Sequence, residues 1–125
     1  MGRGGLGVGG LLLIMLIVIN MEVNESTTYE VGDEFGWDPT IDMETWPRGK
    51  TFHAGDILEF KYDDQKYDVV VTDQEGHDTC TVTPRSEVHN SGDDRIELQH
   101  GGNYFICSIS SLCSAGLKMA VSADF

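Results

Sequence analysis

Two cysteines six positions apart, Cys107 and Cys113, are the side chains of this chain best suited to chemistry. They lie in the stretch YFICSISSLCSAGLKMAV, residues 104–121, and Cys80 precedes them. Cysteine thiolates bind copper and zinc, and they also form disulfides. In an oxidising compartment, three cysteines predict one disulfide and one odd thiol that is buried, bound to a metal or paired with another chain.

Histidines are the other candidate metal ligands. His77 lies three residues before Cys80, in the sequence EGHDTC. Together with Cys107 and Asp68 it could hold a metal such as zinc. The alternative that we favour is that His77 is solvated in a turn. The remaining histidines fall in turns or on exposed strand positions by pattern: His53, His89 and His100.

Charge and motif content argue against several classes of function. The net charge of −13 argues against nucleic acid and anionic lipid as partners, and it leaves a preference for a basic partner open. No Ser-His-Asp or paired-carboxylate arrangement can be placed on neighbouring elements, so we do not expect an enzyme. We expect most of the scattered acidic residues to solvate loops: Asp63, Asp64, Asp68, Asp73, Glu75, Asp93 and Asp94.

The start of the chain differs from the rest and predicts secretion. Residues 11–19, LLLIMLIVI, form a nine-residue apolar run after a weakly basic start at Arg3. This run suits a signal peptide and is too short for a membrane span, which needs roughly 20 apolar residues. We predict a secretory signal peptide at 1–26 and a globular domain at 27–125, with a short signal anchor as the alternative. Asn24 begins a glycosylation sequon at the expected cleavage point.

The end of the chain and its alternating segments predict a small all-β domain. After VSADF there is no apolar tail, so we expect no glycolipid or other membrane anchor. Short strand-like segments separated by polar turns predict a β-sandwich: TTYEV, FHAGDILEFKY, YDVVVT, RIELQ, NYFICSI and LKMAVS. The turn HGG, residues 100–102, predicts a hairpin between RIELQ and NYFICSI. PRSEVHNSG is expected to hold one helical turn at most. Trp37 and Trp46 are expected to be core or loop-anchoring residues rather than a platform for a ligand.

Four segments taken together resemble the phytocyanins, plant blue-copper proteins of the cupredoxin class: VGDEFGW, FHAGDILEFKY, VVVTDQEGHDTC and GGNYFICSISSLCSAGLKMAV. Within that family the chain is most similar to the plantacyanins, or basic blue proteins, although its acidic charge departs from theirs. The similarity covers about residues 28–121. It implies a Greek-key β-sandwich of about seven or eight strands with one disulfide, Cys80–Cys113, and it places Cys107 at the copper-binding cysteine.

The same resemblance indicates where the other copper ligands would stand. The first histidine position is occupied by Tyr67, the second histidine position by Leu112 and the weak axial position by Leu117. A blue copper site needs two imidazoles and a thiolate, but leucine donates nothing and a tyrosine phenol is ordinarily neutral at neutral pH. We therefore expect a degenerate site with no copper and no other cofactor. Leu112 and Leu117 would fill the pocket and seal the Cys107 thiol.

The resemblance leads to two expectations of function. The first is a secreted, monomeric, non-catalytic module of the plant extracellular space or cell wall (the apoplast). It would act in binding or signalling, with an unidentified extracellular protein or cell-wall glycan as partner. The alternative is a small blue-copper electron-transfer protein of the plantacyanin type. The residues at Tyr67, Leu112 and Leu117 discriminate between the two, because they decide whether copper can be held.

Overall fold

The fold of residues 25–125, the part of the chain that our computed structural model describes, is a sandwich of two β-sheets. Its eight strands are β1 (Thr28–Glu30), β2 (Phe52–His53), β3 (Ile57–Lys61), β4 (Val69–Thr72), β5 (Glu87–His89), β6 (Asp93–Glu97), β7 (Gly101–Ile106) and β8 (Lys118–Asp124). The predicted all-β class and strand number are confirmed. Asn24 and almost all of the predicted signal peptide lie outside the described residues. Within residues 25–125 no helix is long and apolar enough for a membrane span.

The two sheets differ in size and enclose one main core. The three-stranded sheet has the order β1-β3-β6, and the five-stranded sheet has the order β2-β8-β7-β4-β5. β1, which lies within TTYEV, is at the edge of the smaller sheet. Trp37 is fully buried and Trp46 nearly so, as expected for core residues. Trp37 packs edge-on against Phe60, at 5.3 Å between ring centroids.

The hairpin predicted between RIELQ and NYFICSI is wrong, because β6 and β7 belong to different sheets. β6 pairs with β3, whereas β7 pairs with β4 and β8. The buried amide of Asn103 closes the connection: its Oδ1 accepts from the backbone N–H of Gln99 at 2.9 Å, and its Nδ2 donates to the Gln99 carbonyl at 2.8 Å. Turn residues between two apolar runs indicate a reversal of the chain, but they do not decide whether the second run returns to the same sheet.

Three short elements depart from the expected pattern. A six-residue helix, α1, covers Gln74–Thr79. Asp73 caps it by accepting from the backbone N–H of Gly76 at 2.8 Å. Such a helix is too short to show an apolar period. PRSEVHNSG contains β5, with Val88 opposite Val70 of β4, rather than a helical turn. A 3₁₀ helix covers Asp33–Phe35.

Candidate functional site

The loop between β7 and β8 brings three of the candidate positions together through its backbone. The N–H of Cys107 donates to the carbonyl of Leu117 at 3.1 Å. The N–H of Leu117 in turn donates to the carbonyl of Leu112 at 2.9 Å. These main-chain bonds do not depend on which side chains the positions carry. The loop can therefore keep its shape when the side chains change.

A disulfide joins this loop to α1. Cys80 and Cys113 are bonded, with 5.7 Å between their Cα atoms, which confirms the expected pairing. Cys80 follows the last residue of α1 in the left-handed conformation, with φ of 55°. Cys113 is buried in a small cluster with Val70 and Ile106. The bond therefore fixes the outer face of the larger sheet to the loop that carries the candidate site.

Cys107 is the free cysteine among the described residues, and it is only 1% exposed. Burial raises the pKa of its thiol, and the nearby carboxylate of Asp68 acts in the same direction. The backbone N–H groups of Asp68 and Ile109 oppose this shift. The thiol is therefore held in its protonated, poorly nucleophilic form at neutral pH.

Asp68 is buried and positions the site, which corrects the prediction that it solvates a loop. The residue is 5% exposed. Its carboxylate accepts the backbone N–H of Ser108 at 2.7 Å as well as the Ser108 hydroxyl. Its carbonyl accepts the indole N–H of Trp37 at 2.9 Å. Asp68, the residue directly before β4, is thus hydrogen-bonded to Ser108, the residue directly after Cys107. The sequence does contain a signal for this burial, because Asp68 lies directly before the apolar run VVV, where a polar side chain is close to the core.

Asp94 was also expected to solvate a loop, and it is instead buried. It accepts hydrogen bonds from the hydroxyls of Tyr62 and Ser91, the latter at 2.7 Å. Together with burial, the hydrogen bond to Asp94 raises the pKa of the Tyr62 phenol well above its ordinary value. A carboxylate near the start of a strand, such as Asp94 in β6, can therefore be buried when hydroxyl groups donate hydrogen bonds to it.

The remaining ligand positions carry side chains that do not suit copper. Leu117 is fully buried in the main core, and Tyr67 and Leu112 are half-buried and packed against that core. The set therefore offers one protonated thiol, one phenol and two hydrocarbon side chains. A type 1 copper site uses two imidazoles and a thiolate. The residues present do not fit this metal.

His77 is not solvated in a turn, as we had expected, but lies buried on α1. Its Nδ1 is 2.9 Å from Asp78 Oδ1, and its Nε2 is 3.2 Å from Glu44 Oε1 without making a hydrogen bond to it. In the part of the chain that the structure describes, no three His, Cys, Asp or Glu side chains form a group that could hold a metal ion. The zinc site considered for His77, Cys107 and Asp68 is therefore not formed.

Three kinds of comparison with known proteins give consistent matches. Residues 37–117 match the family model of the plastocyanin-like domain. The chain is 51% identical over 114 residues to chemocyanin of Lilium longiflorum, covering 91% of this chain and 88% of that protein. It is also 51% identical over 98 residues to early nodulin-like protein 22 of Arabidopsis thaliana, covering 78% of this chain and 70% of that protein. Among solved structures, cucumber basic protein, a blue copper protein, aligns with a TM-score of 0.74 at 43% identity, covering 78% of this chain and 99% of that one.

The two sheets and the cysteine-bearing loop thus define a cupredoxin-type β-sandwich. The chain belongs to the phytocyanins, within the plastocyanin-like family. The predicted family is confirmed. Cupredoxin-like proteins of this kind are generally not enzymes, and copper is the metal of the family.

Proposed function

We propose that this protein is a secreted, non-catalytic phytocyanin module that does not hold type 1 copper and acts by binding a partner. The observation that carries the proposal is the donor set: of the four positions that would ligate copper, only Cys107 offers an atom that the metal prefers. Tyr67, Leu112 and Leu117 occupy the others.

The physical argument concerns what a copper ion would meet in this pocket. Entry would require the ion to give up water ligands beside the hydrocarbon side chains of Leu112 and Leu117, which return no donor. The Cys107 thiol would also have to lose a proton, although burial and Asp68 favour the protonated form. Both costs act against binding.

Features outside the pocket support an extracellular role. The Cys80–Cys113 disulfide suits an oxidising compartment, as does the apolar run at 11–19. The relatives named above are plant proteins, and the extracellular space of a plant tissue is the apoplast. An extracellular protein or a cell-wall glycan is the class of partner that this location offers, to be bound by the protein as a monomer.

Electron transfer through a blue copper ion is the second candidate. The retained Cys107 and the disulfide beside it favour this role, and cucumber basic protein is described as a blue copper protein. It would require that residues other than the expected histidines complete the ligand set.

A copper(II) titration of the purified domain, followed by visible absorption, tests the proposal. We expect no intense thiolate-to-copper band, and we expect wild type and Cys107→Ser to give the same flat spectrum. The proposal would be wrong if a strong band appeared in the wild type and vanished in Cys107→Ser. Electron transfer would then be the better account.

A further inference from the structure

We infer that one end of the sandwich binds a basic protein segment that presents an exposed apolar side chain. This end, here called the loop end, consists of residues 31–37, 61–68 and 107–117. The inference rests on the proposed function, because it assigns to a metal-free site the task of binding a partner. It concerns the surface of the loop end rather than the buried Cys107.

Hydrogen bonds hold the three segments of the loop end together. The backbone N–H of Trp37 donates to the Lys61 carbonyl at 2.9 Å, and its indole N–H donates to the Asp68 carbonyl at 2.9 Å. Ser108 then donates to the Asp68 carboxylate at 2.7 Å. Since each segment is tied to the next, the side chains that they expose belong to one pre-formed surface. A pre-formed surface loses little conformational entropy on binding.

The loop end exposes apolar side chains. Phe35 is 64% exposed and Ile109 is 43% exposed, and both are among the few large hydrophobic side chains that the described residues leave in solvent. Tyr67 and Leu112 are half-buried at the same end and pack against the main core. Exposed aromatic and aliphatic side chains supported by a rigid core are typical of interaction sites.

Carboxylates without ionic partners accompany these apolar groups. Within residues 25–125, Asp33, Glu34 and Asp64 form no ion pair, and all three are exposed. The two lysines of the loop end are already engaged: Lys61 lies 3.1 Å from Glu59, and Lys66 lies 3.9 Å from Asp63. The loop end therefore carries a local excess of negative charge that attracts lysine or arginine side chains.

Charge complementarity also selects among possible occupants. A second copy of this chain would bring the same carboxylates to the interface and the same net charge of −13, so self-association through this end is disfavoured. A neutral glycan would leave the carboxylates unpaired. A basic segment with an apolar anchor satisfies both the charge and the exposed hydrophobic surface.

The test uses two synthetic peptides added to the ¹⁵N-labelled domain, followed by NMR. In one peptide lysine alternates with leucine or phenylalanine, and in the other lysine alternates with serine. We expect the first to bind at least about tenfold more tightly than the second, a difference of about 1.4 kcal/mol, because an exposed apolar side chain of the protein can then pack against the apolar side chain of the peptide. Amide shifts should be confined to residues 31–37, 61–68 and 107–117.

Matched variants locate the effect. Phe35→Ser/Ile109→Ser should lose the tenfold preference for the apolar peptide. Val82→Ser/Val88→Ser removes two apolar side chains of comparable exposure elsewhere and should keep the preference. Glu34→Gln/Asp64→Asn should weaken the binding of both peptides. Equal affinity for the two peptides, shifts outside the loop end, or a larger loss in the valine variant would overturn the inference.

Recording visible absorption of the same samples with added copper(II) keeps the two proposals separate. A flat spectrum together with equal affinity for the two peptides would contradict only the proposed docking surface. An intense band together with the expected peptide binding would contradict only the proposal that the protein holds no type 1 copper.

Discussion

Leu112 and Cys113 are neighbours in the loop between β7 and β8, but their side chains pack against different clusters: Leu112 against the main core and Cys113 in the small cluster. Cys113 is buried beside Val70 and Ile106 and is bonded to Cys80. Leu112 is half-buried against the main core, at a position where copper-binding relatives are expected to place a histidine. Cys113 forms the disulfide that supports the loop, whereas the side chain of Leu112, the residue before it, has no atom that can bind a metal.

This difference teaches that support and chemistry are separable in this fold. The loop is held by main-chain bonds between Cys107 and Leu117 and between Leu117 and Leu112. Asp68 and Ser108 add a further tie. None of these contacts uses a side-chain atom of Tyr67, Leu112 or Leu117. A domain built in this way should be stable without a metal.

Removing the disulfide should have the largest effect. The bond closes a loop with a sequence separation of 33, for which the chain-entropy model gives about 4 kcal/mol. We expect Cys80→Ala/Cys113→Ala to lower the free energy of unfolding in urea by about that amount. Cys107→Ala is the matched control and should cost only about 1 kcal/mol. Equal losses in the two variants would contradict the structural role assigned to the bond.

Leu117 should behave as a core residue rather than as a vacant ligand position. Because it is fully buried, Leu117→Ala should lower the free energy of unfolding by about 2–5 kcal/mol through cavity formation. Leu117→Met, which keeps the volume, should cost less than about 1.5 kcal/mol. Urea denaturation measures both. If alanine were tolerated as well as methionine, the pocket would not be filled as described.

The Cys107 thiol should resist modification in the folded protein. It is buried and its pKa is raised, so we expect alkylation by iodoacetamide to be much slower than in urea and to follow local opening. Mass spectrometry of the labelled protein gives the rate. Rapid labelling under native conditions would show that the pocket is open to solvent.

The raised pKa of Cys107 also predicts a small pH dependence of stability. Above about pH 8.5 the unfolded thiol loses its proton while the folded thiol keeps it, so rising pH favours the unfolded state. The free energy of unfolding of the wild type should therefore fall relative to that of Cys107→Ala between pH 8 and about 10. Parallel profiles of the two proteins would mean that burial does not shift this thiol.

Much of the fold could be predicted because strand residues alternate with a period of two and β-branched runs such as VVV favour strands. The connection at 100–102 could not, since the Asn103 amide, not the turn sequence, closes it. The burial of His77 depends on α1, which is too short to have a periodic signal. The disulfide and the family were predicted from motif resemblance, whereas the role of Asp68 depends on a contact forty positions away.

The central claim is that the scaffold remains while the metal donors have been replaced. Its most direct test compares copper(II) spectra of the wild type with those of Tyr67→His/Leu112→His/Leu117→Met, which restores two imidazoles and a thioether around Cys107. We predict a flat visible spectrum for the wild type and an intense thiolate-to-copper band for the folded triple variant. An intense band in the wild type, or none in the folded variant, would contradict the account.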